Sequence, residues 1–457
     1  MIRNLFLRFK KERDLTTIPI SKGIWILAIP MIISNLLQAA YNLVDMVWVG
    51  RLGAEALAAV SMSGQILMIT IFIMIGVGIG TTALVARSFG AKQTDEANKI
   101  ALQSLIMGFF GAVIFGVIGY YFSPAMLKAL GASPEVLQLG VGYMQVLFAG
   151  IIVMFCLFFV AAILQGAGDA ATPMVILGFS VVLNVILDPL LIFGIGIFPR
   201  LGVVGAAWAT VIAEAIGSII ALEILLRGRS RIHVRLSNFK VDFGVMWRIL
   251  KIGIPASMQM ILRGMMGIVL IVIVAGFGTV AIAAYGVGMR LTMLAMMPGF
   301  ALGAAAGTMV GQNLGAQKPD RAVASAWTAV GIYFVFMAVI SSTFFFLAPQ
   351  LMQIFNNQPE VISIGSQFLR IVSLGMLFVS VGLILGRAVS GAGDTMHPML
   401  FTFIALWLVQ IPLAFVLARF TPLGLTGVWV AILAAQIVLV SLNTIWFQMG
   451  RWKLKKI

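Results

Sequence analysis

The chain has 457 residues, 61% of them hydrophobic and only 10% charged, with a formal net charge of +15. A soluble domain of this length needs far more charge to coat its surface, so that class is excluded. Apolar runs of about 20 residues or more match the length a helix needs to cross about 30 Å of hydrocarbon, and backbone groups in lipid must bond internally, so these runs are read as helices.

The first segment, residues 1–22, is basic and partly amphipathic; it lacks the short apolar core and cleavage site of a secretory signal and is expected to be retained. Membrane spans are predicted at 24–49, 58–85, 99–121, 136–164, 172–198 and 203–226, then at 247–275, 280–310, 322–347, 361–387, 397–419 and 424–447. The fold class is therefore an all-α polytopic membrane protein of twelve transmembrane helices. It divides into an N-lobe (23–226), a polar, basic linker (227–246), a C-lobe (247–447) and a tail (448–457). With twelve spans both termini lie on one side. Basic residues crowd the N-terminus, the 85–99 and 227–251 loops and the tail, whereas the opposite side has only Arg51, Lys128, Arg200 and Arg419. The positive-inside rule puts both termini and the linker in the cytoplasm of an inner (plasma) membrane protein. The net charge then follows from loops facing anionic lipid, and no nucleic-acid partner is expected.

The chain repeats itself. Adding 225 carries Pro30 to Pro255, Gly53 to Gly278, Gly90 to Gly315, Asp95 to Asp320 and Pro134–Glu135 to Pro359–Glu360. Gly166, Gly168, Asp169 and Pro173 land on Gly391, Gly393, Asp394 and Pro398. One offset held over so many turn residues marks a duplication. Each half has an even number of spans, so the repeat is parallel, with an axis along the membrane normal. The repeated residues read as turn chemistry: tight Gly-Ala-Gly-Asp turns in which Asp caps the next helix, and Asp95, Glu96 and Asp320 in first turns.

The acidic residues inside spans do not repeat. Asp45 corresponds to Leu270, Asp188 to Leu413, Asn184 to Val409 and Glu214 to Gln436. An aspartate in a span is costly and marks a functional site by default. Carboxylates confined to one lobe point to a coupling cation bound there. Asn35, Gln38, Asn42 and Asp45 form one stripe on the first helix, Asn184 and Asp188 share a face of the fifth, and Thr210 and Glu214 a face of the sixth. Gln38 and Asn42 on that stripe are candidate substrate contacts.

The other lobe carries Arg263, Arg290 and Arg370 in its spans, either to bind an anionic moiety or to snorkel and cap carbonyls. Methionines such as Met260 there suit promiscuous binding as well as packing. The single cysteine, Cys156, lies in an apolar run, and His233 and His397 have no metal-like neighbours. No catalytic residue, no resident cofactor and no metal other than sodium at Asp45 and Asp188 is expected.

The sequence resembles the multidrug and toxic compound extrusion (MATE) family over essentially its whole length. The resemblance is carried by Ile29–Pro30 before a polar helix with Asp45, by Val49-Gly50-Arg51-Leu52-Gly53 and by Leu164-Gln165-Gly166-Ala167-Gly168-Asp169. Asn184-x-x-x-Asp188-Pro189 and Gly205-Ala206-Ala207-Trp208-Ala209-Thr210 add to it. It is nearest to the prokaryotic DinF-like branch, whose N-lobe cation site implies coupling roles for Asp45, Tyr143, Asn184, Asp188 and Thr210. The sodium-coupled branch also uses carboxylates in the seventh and tenth spans; here those spans have none, and Arg263 stands about where the first would be. The resemblance implies a monomeric secondary antiporter, not an enzyme, that exports amphipathic or cationic drugs against protons or sodium ions by alternating access. The alternative is a flippase for lipid-linked precursors or other amphiphiles on the same fold.

Overall fold

The computed structural model describes residues 14–228, 230–234, 240–455 and 457. The first thirteen residues of the basic N-terminal segment and 235–239 of the linker lie outside that set. Among the described residues the chain is helical throughout, with no strand. The helices are α1 (Ile20–Gly50), α2 (Ala54–Gly90), α3 (Thr94–Ala129), α4 (Pro134–Ala149), α5 (Ile151–Gly166), α6 (Ala171–Phe193) and α7 (Val203–Leu226). They continue as α8 (Phe243–Ala275), α9 (Thr279–Gly315), α10 (Pro319–Phe346), the short α11 (Ala348–Gln353), α12 (Pro359–Gly391), α13 (Met396–Phe403), α14 (Ile411–Phe420) and α15 (Leu425–Met449). A π-helical turn, Ile404–Gln410, joins α13 to α14 in one span. Among the described residues, eleven helices are long and apolar enough to cross a membrane, or twelve when the bent pair α4 and α5 is counted as one span.

The repeat is written into the backbone of the turns. At the end of α2 the Lys92 N–H donates to the Phe89 carbonyl at 3.0 Å and the Gln93 N–H to Ser88 at 2.9 Å. At the end of α9 the Gln317 N–H donates to Leu314 at 3.1 Å and the Lys318 N–H to Asn313 at 2.8 Å. This paired closure demands a left-handed residue, a place glycine usually fills. Here Lys92 (φ 59°) and Gln317 (φ 57°) fill it, at the same position of each repeat. The turns after α5 and α12 close in the same way, but with Gly168 (φ 86°) and Gly393 (φ 90°) in the left-handed place.

Two spans depart from what the repeat implies. The fourth span is bent by 48° at Gly150, between α4 and α5. A Cβ there would lie 2.7 Å from Cγ1 of Val211, so the bend lets α7 approach the backbone. Gly375 is the counterpart in the other half, yet α12 runs through it unbroken. The eleventh span widens into the π turn just before Pro412, whose missing N–H cannot continue a regular helical ladder.

The chain forms two compact units whose limits differ from the lobes read from the sequence, 23–226 and 247–447. One unit holds Ile29–Gly253; the other holds Asp14–Ala28 with Ile254–Ile457. The breaks, after Ala28 and after Gly253, fall at the same place in both repeats, two residues before Pro30 and Pro255. Side-chain anchors explain the assignment. Lys318 Nζ donates to the Thr16 carbonyl at 3.0 Å, Arg321 bonds the Leu15 and Ile18 carbonyls, and Leu15, Ile24, Leu27 and Ala28 are buried. In the first unit, Gln103 donates to the Lys240 carbonyl at 2.6 Å and accepts from the Asp242 N–H at 3.0 Å. Arg248 pairs with Glu96, and Lys99 bridges Asp242 at 2.6 Å. The Lys99 hydrogen bond holds the Asp242 carboxyl below the usual carboxylate range.

Candidate functional site

In the first unit, α6 brings Asn184 and Asp188 to one face, one turn apart, and both are fully buried. Asn184 Nδ2 donates to Asp188 Oδ1 at 3.3 Å. The Asn184 Oδ1 and Asp188 Oδ2 atoms are buried without a hydrogen-bond partner, and so is Oδ1 of the half-buried Asp45 on α1. The charges of Asp45 and Asp188 reach one another, and both reach the hydroxyl of Tyr143 on α4. Tyr143 is held in a cluster with Val49 of α1, Ile192 of α6 and Val203, Ala206 and Ala207 at the start of α7. The structure therefore brings Asp45, Tyr143, Asn184 and Asp188 together.

Thr210 enters differently. Its Oγ1 accepts a 2.7 Å hydrogen bond from the Tyr41 hydroxyl of α1. Tyr41 in turn lies within electrostatic reach of Glu214, Asp45 and Tyr143. Sequence reasoning passed over Tyr41; the signal was its place one turn before Asp45 on the same helix. Gln38 and Asn42 stand exposed on α1, bonded to each other at 3.5 Å, and are not part of this buried set.

In the second unit, Arg370 Nε donates to the Phe345 carbonyl at 3.3 Å, so this arginine caps the end of α10. Arg290 is exposed on α9, and Met260 is half-buried on α8. Arg263 on α8 is half-buried, its Nε enclosed and unpaired among the described residues. Its electrostatic neighbour is Arg387. Arg387 is the last residue of the predicted tenth span, and α12 continues past it to Gly391, which keeps this arginine inside the helix. The two Gly-Ala-Gly-Asp turns also diverge. Asp169 caps α6, accepting from Thr172 N–H at 3.0 Å and from its hydroxyl at 2.7 Å. Asp394 gathers Lys455 Nζ at 2.8 Å, Trp446 Nε1 at 3.1 Å and His397 Nδ1 at 2.8 Å.

The MatE family model matches residues 30–190 and 255–416, the same portion of each repeat. The chain belongs to the MatE family. It is 32% identical to the probable multidrug resistance protein YoeA of Bacillus subtilis (strain 168), covering 94% of this chain and 93% of the relative. It is 27% identical to the probable multidrug resistance protein NorM of Thermotoga maritima, over 93% of this chain and 92% of that one. Among solved structures, a crystal structure of MATE in the bent conformation matches with a TM-score of 0.90 at 27% identity. That likeness covers 95% of this chain and 96% of the other. MatE members are transporters rather than enzymes, and this chain is a multi-pass membrane protein of that kind.

The buried set of this MatE chain is a collection of oxygens. Two carboxylates, an amide oxygen and a phenolic oxygen converge in a region of apolar helices. Such oxygens suit a proton or a hard cation; no group of three or more His, Cys, Asp or Glu fit to hold a metal ion occurs among the described residues. Unbonded carboxylate and amide oxygens in a buried place are expensive unless an ion or proton joins them at some stage.

Proposed function

We propose that this MatE transporter is a cation-coupled exporter: a proton or a sodium ion moves inward while an amphipathic, commonly cationic, compound moves out. The relatives' multidrug resistance names support export of small drugs. The observation that carries the coupling is the meeting of Asp45 and Asp188 in one unit, each with a buried, unbonded carboxylate oxygen. In this reading Asp45 and Asp188 hold the ion, Asn184 orients Asp188, and Tyr143 supplies a neutral oxygen. Thr210 acts through the Tyr41 hydroxyl that bonds it.

Ion binding cancels negative charge on α1, a helix already weakened near the unit break. Pro30 removes a backbone donor, and the Ser34 hydroxyl bonds back to the Pro30 carbonyl at 2.9 Å, a contact that bends helices. Asp45 lies about 22 Å beyond Pro30 along the helix. A change of tilt at that point redirects the carboxylate and alters its affinity for the ion. The ion drives alternating access only because its affinity differs between the two conformations. The protein works as a monomer in the inner (plasma) membrane, both termini cytoplasmic.

The test is transport in proteoliposomes, with proton and sodium gradients imposed separately and rhodamine 6G as cargo. Asp45→Asn and Asp188→Asn each abolish gradient-driven export, while rhodamine 6G still binds the purified protein. Robust gradient-driven transport by the double variant overturns the coupling site.

A further inference from the structure

The second unit presents the opposite chemistry. Arg263 and Arg387 lie within electrostatic reach of one another, and neither has an ion-pair or hydrogen-bond partner among the described residues. The acidic residues of this unit after Ala28 are Asp320, Glu360 and Asp394, each at a helix start or in a turn. Asp394 is already engaged by Lys455 and His397. A guanidinium does not shed its proton, so two of them within electrostatic reach in a partly dry place repel, and an anion between them relieves that repulsion.

Both arginines are held in position. A Cβ on Gly303 of α9 would lie 2.9 Å from Arg387 Cγ and 3.2 Å from its Cβ, so the arginine stem lies against that glycine. On the other side, Gln259 of α8 donates to the Pro398 carbonyl at 3.0 Å and to Thr402 Oγ1 at 2.9 Å. Trp407, in the π turn, donates to the carbonyl of Leu262, the residue before Arg263, at 3.2 Å. These bonds fix the register of α8 against α13 and the π turn, and with it the origin of the Arg263 side chain. A guanidinium is a planar fork of N–H donors, the geometry that pairs with the oxygens of a carboxylate or phosphate.

We propose that Arg263 and Arg387 form an oxyanion site within the second unit, which selects amphiphiles bearing a carboxylate or phosphate group. The inference rests on the reading of this chain as a carrier of amphipathic compounds and adds a second class of cargo, anionic amphiphiles, beside the cationic compounds proposed above. The same chemistry is offered by a soluble amphiphile and by an anionic lipid headgroup.

The test compares two xanthene dyes of opposite charge, fluorescein with its carboxylate and cationic rhodamine 6G. Fluorescence polarisation follows their binding to the full chain in phosphatidylcholine nanodiscs. Arg263→Gln and Arg387→Gln each weaken fluorescein binding about tenfold, the loss of one charge-assisted bond, and change rhodamine 6G binding less than about twofold. Arg370→Gln, which removes a helix-capping charge, leaves fluorescein binding unchanged. Arg387→Lys keeps the stem over Gly303 and the charge, and so guards against misfolding; it weakens fluorescein binding because an ammonium offers no fork. Adding phosphatidylglycerol to the nanodiscs distinguishes the sources: competition with fluorescein assigns the site to a headgroup phosphate, and its absence to a soluble amphiphile. Fluorescein binding that is missing from the wild type, or that survives both Gln substitutions, overturns the site. No gradient is imposed, so a failure of ion coupling leaves this result unaffected.

Discussion

Asn184 donates through Nδ2 to Asp188 Oδ1 across one turn of α6 at 3.3 Å, leaving the amide oxygen of Asn184 and the Oδ2 of Asp188 buried and unbonded. The amide thereby fixes which carboxylate oxygen is free to take an ion. Asn184→Ala removes that orientation without touching the charge. Its expected effect is a roughly tenfold higher ion concentration for half-maximal export, the worth of one hydrogen bond to a charged group. Rhodamine 6G binding to the purified protein stays near wild type. Transport titrated against sodium and against pH at constant cargo checks it; an unchanged ion dependence removes Asn184 from the coupling set.

Tyr41 and Thr210 make a second prediction. Their 2.7 Å bond is between side chains on α1 and α7, 169 positions apart. Thr210→Val keeps the shape and leaves the Tyr41 hydroxyl without its acceptor, at a cost of about 1–3 kcal/mol. Tyr41→Phe in the Thr210→Val background removes the stranded hydroxyl and restores most of that loss. Thermal unfolding in detergent reads both. Additive losses show that the two residues are not coupled.

Lys92 and Gln317 occupy left-handed backbone where a side chain costs about 1–2 kcal/mol, against about 0.5–1 kcal/mol of extra unfolded-state freedom for glycine. Lys92→Gly and Gln317→Gly are each expected to stabilise by about 0.5–1 kcal/mol, with transport unaltered. Loss of stability on either substitution shows that the side chain carries contacts worth more than the backbone strain.

Asp394 carries a pH dependence. Burial pushes its carboxyl up, but the hydrogen bonds and charges of Lys455 and His397 outweigh burial and hold it below the usual range. A depressed folded-state value stabilises the fold above the unfolded carboxyl value, about 3.9, and that contribution disappears as pH falls through the folded value. Asp394→Asn is therefore expected to lower stability by about 1–3 kcal/mol at neutral pH, with the gap to wild type closing below about pH 3.9. Thermal unfolding across pH 3–7 measures it. A gap that stays constant with pH assigns the loss to packing. Asp169→Asn, in the matching turn, acts on the α6 cap and folding rather than on ion coupling.

The charge asymmetry of the loops predicts the topology. A reporter fused after Ile457 is expected to read cytoplasmic, as is one inserted near Ser237. A reading from the opposite side at either place changes the number of spans.

The sequence by itself determined the spans, because hydrocarbon thickness and internal backbone bonding act on composition alone; every predicted span falls on an observed helix or bent pair, with the fifth, 172–198, overrunning α6 past Phe193. The 225-residue offset also foretold the matching tight turns after α5 and α12, since local hydrogen bonding decides a turn. The polar faces of Asn184 with Asp188 and of Thr210 with Glu214 were legible from helical periodicity. Tertiary structure decided the rest. Gly150 and Gly375 are repeat partners, yet only the first sits at a helix break, where the missing side chain lets Val211 of α7 pack against the backbone; the nearest atom to a Cβ on Gly375 would be 3.4 Å away. Asp169 and Asp394 share a motif but take different partners: Thr172 in the first turn, and Lys455 of the tail in the second. That Tyr41 meets Thr210, that Arg387 lies within electrostatic reach of Arg263, and that Asp14–Ala28 belongs with the second unit all depend on contacts between segments far apart in the chain. Composition and periodicity record which face of a helix is polar; only packing decides what that face meets.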